Sequence, residues 1–304
     1  MKSSDLKITS PLTGSTDLTL LRNIPAEYLI QGWKQEFQID IREELGSNSV
    51  IKLYQCNQTK LKFFMPLDLV GSGQLYEKLQ KFDWYYMPNK WEHQLALRDL
   101  QGCQKILEIG SGFGDFVESG IQAGLDICGI ELNELAVATA KRRNLPVQRL
   151  DLKDAAATYQ GLFDGVCSFQ VLEHVCNPKE FIEWSVQMLK PGGKLIFGVP
   201  DADGFQKYQD FLLDMPPHHM HQWSASTFES LETLFPIKLE KIVREPLARY
   251  HIRTFLSAYA HRFPTPVQTI LFNRYLKKLY FHILSLGLFR MLPGMSLYAL
   301  FRKV

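Results

Sequence analysis

Residues 106–116 read Ile-Leu-Glu-Ile-Gly-Ser-Gly-Phe-Gly-Asp-Phe, an apolar run that breaks into three alternating glycines. A short apolar run stopped by glycine is a strand that ends abruptly, and the residues after Gly114 return to helical spacing. Glycine has no Cβ, so the turn can adopt tight backbone angles and let a ligand come close to the main chain. The helix behind the turn aims its unpaired N–H groups at the same place. Repeated strand-and-helix units after such a turn specify an open, doubly wound α/β sheet. With 304 residues, 46% of them hydrophobic and 22% charged, the chain has material for one large domain or two modest ones and is no disordered composition.

Further strands and helices follow at the required spacing. A strand over 104–109 and a helix over 114–123 are followed by a strand over 126–130 that ends at Glu131, 23 residues after Glu108. An acid at that distance accepts hydrogen bonds from ribose hydroxyls in nucleotide-binding folds, and its two oxygens match a vicinal diol. The next helix, 133–144, ends in Lys-Arg-Arg-Asn, where cations complement the helix dipole. A strand over 147–150 leads to Asp151-Leu152, and a strand over 163–169 leads to Gln170-Val-Leu-Glu-His174. The switch point of an open parallel sheet lies between the first and fourth of these strands, which brings Gln170, Glu173 and His174 to the ligand crevice. A helix over 177–188 has Pro178 in its first turn, Leu189-Lys-Pro-Gly-Gly193 is a turn, and 194–199 is the fifth strand.

These landmarks, Glu108/Gly110/Gly112/Gly114, Glu131, Asp151, Gln170–His174 and Leu189–Gly193, stand in one order. In that order the chain resembles the class I S-adenosylmethionine (SAM)-dependent methyltransferases over roughly 85–245 and the terminal strand, and more narrowly the ubiquinone-type O-methyltransferases. The resemblance implies a Rossmann-like, seven-stranded, mostly parallel sheet with helices on both faces. Its last strand, 296–302, would lie antiparallel between two earlier ones, one of them 237–244. It also implies SAM as cofactor, held by Glu108, Gly110, Ser111, Gly112, Gly114, Glu131, Leu132, Asp151, Leu152 and Gln170. Asp151 would take the adenine amine, and Gln170 the methionine part or the substrate. In those O-methyltransferases a Glu at the Gln170 position joins the Glu-His pair to hold a divalent metal. Gln170 is neutral and a poorer ligand, so no metal is expected. The glycine spacing differs from the Gly-x-Gly-x-x-Gly of dinucleotide-dependent oxidoreductases, and Glu108 would face a pyrophosphate there, which argues against that enzyme class.

After the fifth strand, 201–223 contains Pro-Pro-His-His-Met-His-Gln-Trp. The family places a similar Pro-Pro-His-His segment over the substrate pocket. His218, His219 and His174 are therefore candidate bases for an acceptor hydroxyl, since imidazole titrates near neutrality. Ser224 is a candidate N-cap for a helix over 227–234. Methyl transfer to a small-molecule acceptor, O-methylation first, is the expected activity. A C-methyltransferase on a nucleotide-linked sugar and a non-catalytic scaffold are the rivals.

The flanks are less specific. Residues 1–82 form an accessory region with strands over 49–55 and 60–64 and a helix over 74–82, resembling a zinc-ribbon-like module from which all ligands except Cys56 are missing. One thiolate builds no closed zinc site. Phe82, Trp84, Tyr85, Tyr86 and Trp91 precede a helix over 92–100 and can pack near the cofactor or join the accessory region to the core. The five cysteines form no Cys-x-x-Cys pair and no apolar leader follows Met1, which fits a reduced, cytoplasmic setting. Residues 241–304 hold eleven Lys/Arg and one acid, Glu245, leaving 23 basic and 31 acidic residues before them. A helical insertion over about 248–293 carries most of that charge beside aromatics. It is too short an apolar run to span a bilayer, which needs ~20 residues. It can lie in a membrane interface, cover the pocket or pack in a homodimer, which is compatible with an anionic or lipid-linked acceptor; nucleic acid is not required by the charge.

Overall fold

The protein is described here by a computed structural model over residues 7–82, 85 and 90–304, so Trp84 and Tyr86 lie outside the described residues. Three antiparallel strands come first, β1 (Leu18–Pro25), β2 (Val50–Cys56) and β3 (Lys62–Met65). The helix Ala26–Glu36 buries Leu29 and Trp33 at helical spacing, and the helix Gly73–Leu79 adds Leu75 and Leu79 to the same core. Cys56 is a free, buried thiol beside the Thr13 hydroxyl.

The large sheet is built from β4 (Ile106–Ile109), β5 (Ile127–Glu131), β6 (Val147–Arg149), β7 (Phe163–Phe169) and β8 (Leu189–Pro200). A two-residue strand, β9 (His221–Gln222), returns to pair with β3, and β10 (Ile237–Pro246) and β11 (Pro293–Lys303) complete the chain. The order β10-β11-β8-β7-β4-β5-β6 has β11 antiparallel between β10 and β8, as expected, while β4 to β8 pair in parallel. Helices Asp115–Gln122, Glu134–Arg142, Leu152–Thr158 and Pro178–Met188 make the crossovers. Strands covered on both faces must be apolar throughout, and β8 and β11 show how. Leu195, Phe197, Val199, Leu297, Ala299 and Phe301 enter one core, while Ile196, Tyr298 and Leu300 enter the other.

Two differences from the sequence reading bear on the site. Leu189-Lys-Pro-Gly-Gly193 turns inside β8 and not before it: Leu189 already pairs with Phe163, the next pair is Gly165 with Lys194, and Gly192 in the bulge between them has φ +76°. The sheet captures the chain as soon as the preceding helix stops. The segment after β8 is also no free lid. Its Leu212, Met215 and Met220 are buried in the accessory core, and Asp210 accepts both guanidinium N–H groups of Arg22 on β1, at 2.6 and 2.7 Å. The accessory region therefore clamps the segment that carries His218 and His219.

The 248–293 insertion falls between β10 and β11. It contains helices Ile252–Ala260, Thr265–Leu271 and Arg274–Ser285 and packs its own cluster around Phe205, Leu247, Ile252 and Phe255.

Candidate active site

A cavity of about 1000 Å³ opens at the C-terminal ends of β4, β5 and β7. The glycine turn forms one wall. Gly110 has φ +72°, and a Cβ there would sit 2.4 Å from Val171 Cγ2, so the turn and the Gln170–His174 segment leave no room for a side chain. Gly112 donates its N–H to Glu131 Oε2 at 2.9 Å. The other oxygen of Glu131 accepts from the N–H groups of Leu132 and Asn133, at 2.7 and 2.8 Å. Three backbone donors thus hold one carboxylate at the end of β5, facing the cavity. Asp151 lines the next stretch and caps the helix Leu152–Thr158 by accepting from Lys153 N at 2.8 Å. Leu132 stands 61% exposed at this wall, an apolar surface for a flat ring.

Glu108 lies inside β4, 4% exposed, and its Oε2 has no hydrogen-bond partner among the described residues. Burial raises its carboxyl to about 8; Lys90 opposes that shift, while Asp115 and Glu131 add to it. A buried acid with an orphaned oxygen facing a cavity is matched by a cationic ligand group. Gln170 is held in the left-handed region, φ +58°, and donates its amide to Glu92 Oε1 at 3.0 Å.

The opposite wall is a histidine cluster. His174, His218 and His219 have ring centroids 4.5 to 4.7 Å apart. His174 Nδ1 lies 2.6 Å from the His218 carbonyl and His218 Nδ1 lies 2.8 Å from the Leu213 carbonyl. A carbonyl only accepts, so both Nδ1 atoms carry the proton and both Nε2 atoms carry a lone pair. His219 Nδ1 points at Asp214 Oδ1, 3.1 Å away. Tyr76 and Tyr85 place their hydroxyls 3.1 Å from His174 Nδ1 and 2.9 Å from His218 Nε2. Burial holds His174 and His219 down at about 3 and His218 well below its ordinary value, so all three imidazoles are neutral at physiological pH. Glu173 lies among them, 1% exposed, and burial raises it to about 8. Glu173 and His174 are not a hydrogen-bonded pair, since the closest approach is 3.9 Å. The backbone carbonyl of Glu173 instead accepts from Met220 N and His221 N, which ties the histidine loop to the end of β7.

Of the residues expected at the cofactor, Glu108, Gly110, Ser111, Gly112, Glu131, Leu132, Asp151, Leu152 and Gln170 line this one cavity, as do His174, His218 and His219. Gly114 does not. It sits behind the wall with φ +83°, and a Cβ would meet Leu145 Cδ1 at 2.8 Å, so its smallness serves helix packing. His221 turns into the protein, fully buried in β9. Tyr76, Glu92, Asp214 and Glu245 line the cavity unforeseen, because nothing in their local spacing marks them; Trp91 and Tyr85 also line it. The insertion contributes Tyr250 and His251 to the wall.

Residues 81–233 match the family model described as Methyltransferase domain. The curated relatives include the ubiquinone biosynthesis O-methyltransferase of Azoarcus sp. (strain BH72), 30% identical over 133 residues, covering 40% of this chain and 57% of that protein. The protein of the same name from Bordetella avium (strain 197N) is 31% identical over 114 residues, covering 36% and 46%. The chain thus spans about half the length of these two relatives. A solved SAM-dependent methyltransferase from Archaeoglobus fulgidus aligns with a TM-score of 0.45 and 20% identity over 77% of this chain and 100% of that one.

Proposed function

Since this chain belongs to the methyltransferase-domain family, we propose that its glycine-turn wall binds SAM and its histidine wall receives the hydroxyl of a small-molecule acceptor. The charge of the cavity carries this reading. Its described lining includes nine Asp/Glu side chains, from Glu36 to Glu245, and one Lys/Arg side chain, Lys90; burial raises Glu108 and Glu173 to about 8 and Asp214 to about 7, so these become carboxylates when a cation sits beside them. SAM is a cation, through its ammonium and sulfonium, whereas a dinucleotide or a nucleotide-linked sugar brings a diphosphate that this lining repels.

Bound SAM supplies an electrophilic methyl group on a sulfonium. Glu108 would face the cationic end, Glu131 the ribose, and Asp151 and Leu132 the adenine. Gln170, fixed by Glu92, divides the cofactor wall from the acceptor wall. There the Nε2 of a neutral imidazole accepts a hydrogen bond from the acceptor hydroxyl; burial holds His174 and His219 down at about 3, not near neutrality as expected, so the ring aligns the oxygen and the proton passes on to water. With SAM bound, the methyl group would pass to the acceptor oxygen so aligned, and the sulfur would keep the electron pair of the carbon–sulfur bond. The residues act mainly by alignment and exclusion of water. The O-methyltransferase names of the curated relatives favour an oxygen acceptor. Calorimetric titration should give micromolar SAM binding and no response to NADH. Absence of SAM binding by folded protein would overturn the reading.

A second observation concerns where the acceptor is met. On the helix Arg274–Ser285, Tyr280, Phe281 and Leu284 face the insertion core. Tyr275, Leu279, Ile283 and the adjoining Leu286 form an exposed stripe on the same helix, 83%, 50%, 41% and 86% accessible. Residues 246–304 contain no Asp or Glu, and Arg274 and Lys278, both exposed, flank the stripe. No described helix is long and apolar enough to cross a membrane. We infer that this face rests on an anionic bilayer and that the acceptor is lipid-linked, each basic residue near the surface adding about 1 kcal/mol. The protein should sediment with phosphatidylserine vesicles and not with phosphatidylcholine vesicles, and Arg274→Glu/Lys278→Glu should abolish it. An intact protein that never sediments at low salt removes the membrane reading.

A further inference from the structure

A second cavity, of about 640 Å³, lies within the 248–293 insertion, against the turn Phe205–Tyr208 and the start of β11. Phe205, Phe255, Phe263, Phe272, Leu256 and Leu284 give it an apolar wall. Leu271 and Ile283, each 41% exposed, stand at its rim. Protein interiors hold few voids larger than a water molecule, whereas ligand cavities run from about 300 to 1,000 Å³, with apolar walls and a few fixed polar groups. This cavity has the second build.

Its fixed polar groups are cations. The Arg262 guanidinium lies over the rings of Tyr208 and Tyr259, 5.4 Å from each centroid, and its Nη1 donates to the Tyr259 hydroxyl at 2.9 Å. Lys207 Nζ lies 5.4 Å from the centroid of the same Tyr208 ring. Neither cation pairs with a carboxylate among the described residues. Asp203, the one acid of the lining, is turned to Arg244, 4.0 Å away. A guanidinium held by two tyrosines presents its remaining N–H groups as a preset fork, which matches a carboxylate or a phosphate.

We propose that this cavity binds one single-chain amphiphile, with its aliphatic chain among the phenylalanines and its carboxylate or phosphate at Arg262 and Lys207. The nine Asp/Glu side chains of the first cavity would repel the same head group, so the two cavities sort ligands by charge. They share no lining residue, and the site goes beyond the methyl-transfer reading without resting on it. Each methylene buried in the wall should strengthen binding roughly fourfold.

The test is calorimetric titration of the full-length protein with monomeric dodecanoate and, separately, dodecyl phosphate. We expect one molecule per chain, and the tighter of the two anions identifies the head group. Octanoate, four methylenes shorter, should bind more weakly by about a hundredfold. Dodecanol, which lacks the anion, should lose about ten- to hundredfold. Arg262→Gln should cost dodecanoate that same factor and leave dodecanol within about threefold. Leu271→Trp adds bulk at an exposed rim position, where the fold tolerates it, and should block the chain. Absence of saturable one-to-one binding by folded wild type, or wild-type affinity in both variants, overturns the site. So does binding seen only with phosphatidylserine vesicles, which assigns the chain contact to the bilayer face. SAM titrated in parallel separates the readings. Amphiphile binding without SAM binding supports this site and removes the cofactor reading, and the reverse overturns this site alone.

Discussion

Gly110→Ala should lower stability by about 2–4 kcal/mol and weaken SAM binding by roughly two orders of magnitude. Two separate costs combine. The backbone stands at φ +72°, where an L side chain is strained by about 1–2 kcal/mol. The added methyl would meet Val171 Cγ2 at 2.4 Å, a separation no Cβ tolerates. The clash pushes on Val171, next to Gln170 and two residues before Glu173, so the damage passes from the cofactor wall to the acceptor wall. The double variant Gly110→Ala/Val171→Ala tells the costs apart. It should recover the steric part and keep the dihedral part, and chemical denaturation together with SAM titration reads both. SAM affinity within threefold of wild type in Gly110→Ala would show that the turn does not face the cofactor.

Glu108→Gln should remove a pH dependence of stability and of cofactor binding. The carboxyl is raised to about 8, chiefly by burial, against 4.5 in the unfolded chain. Between those values the native state holds a proton that the unfolded state has released. The stabilising effect is complete below about 4.5 and is lost as pH rises through 8, at ~1.4 kcal/mol per pH unit. By pH 9 the wild type should have lost about 3–5 kcal/mol relative to the glutamine variant, which has nothing to ionise there. Comparing the two proteins at each pH cancels the other buried acids, Glu173 and Asp214. Cofactor binding runs the other way, because a cation beside Glu108 favours the carboxylate. Wild-type SAM affinity should therefore rise from pH 6 to 8 with release of a proton, read as a dependence of the binding enthalpy on buffer. Glu108→Gln should show neither effect. Parallel stability curves for the two proteins would mean that Glu108 ionises as freely as a surface acid.

Much of the cofactor side was legible in the sequence because it is made locally. Glu108, Gly110 and Gly112 belong to one turn, Glu131 and Leu132 end the next strand, and Asp151 and Leu152 end the one after. A parallel sheet brings successive strand ends to one edge, so reading strand ends in order is reading the cavity wall. Gly114 shows the limit of the same logic. It continues the motif but faces Leu145, since only the first glycines of the turn reach the cavity.

The acceptor side was only half legible. His174, His218 and His219 stood out as residue types, but no spacing in the chain puts the first beside the other two. The structure places their rings 4.5 Å apart and brings His174 against both. Tyr76, Tyr85, Glu92 and Asp214 come to these walls from separate parts of the chain, and no spacing announces them.

The sequence by itself determined the sheet, the strand ends that make the glycine-turn wall of the cavity and the basic insertion before the last strand. Those follow from apolar periodicity, glycine placement and charge, which act over a few residues. Only the tertiary structure decided that the segment after β8 is held between the accessory core and the large sheet. Burial of Leu212, Met215 and Met220 on one side and the Glu173 carbonyl on the other fixes its path. That path brings two adjacent pairs that are distant from each other in the chain, Glu173-His174 and His218-His219, into one cluster facing the cavity. Such a meeting depends on long-range packing, and long-range packing leaves no local pattern to read.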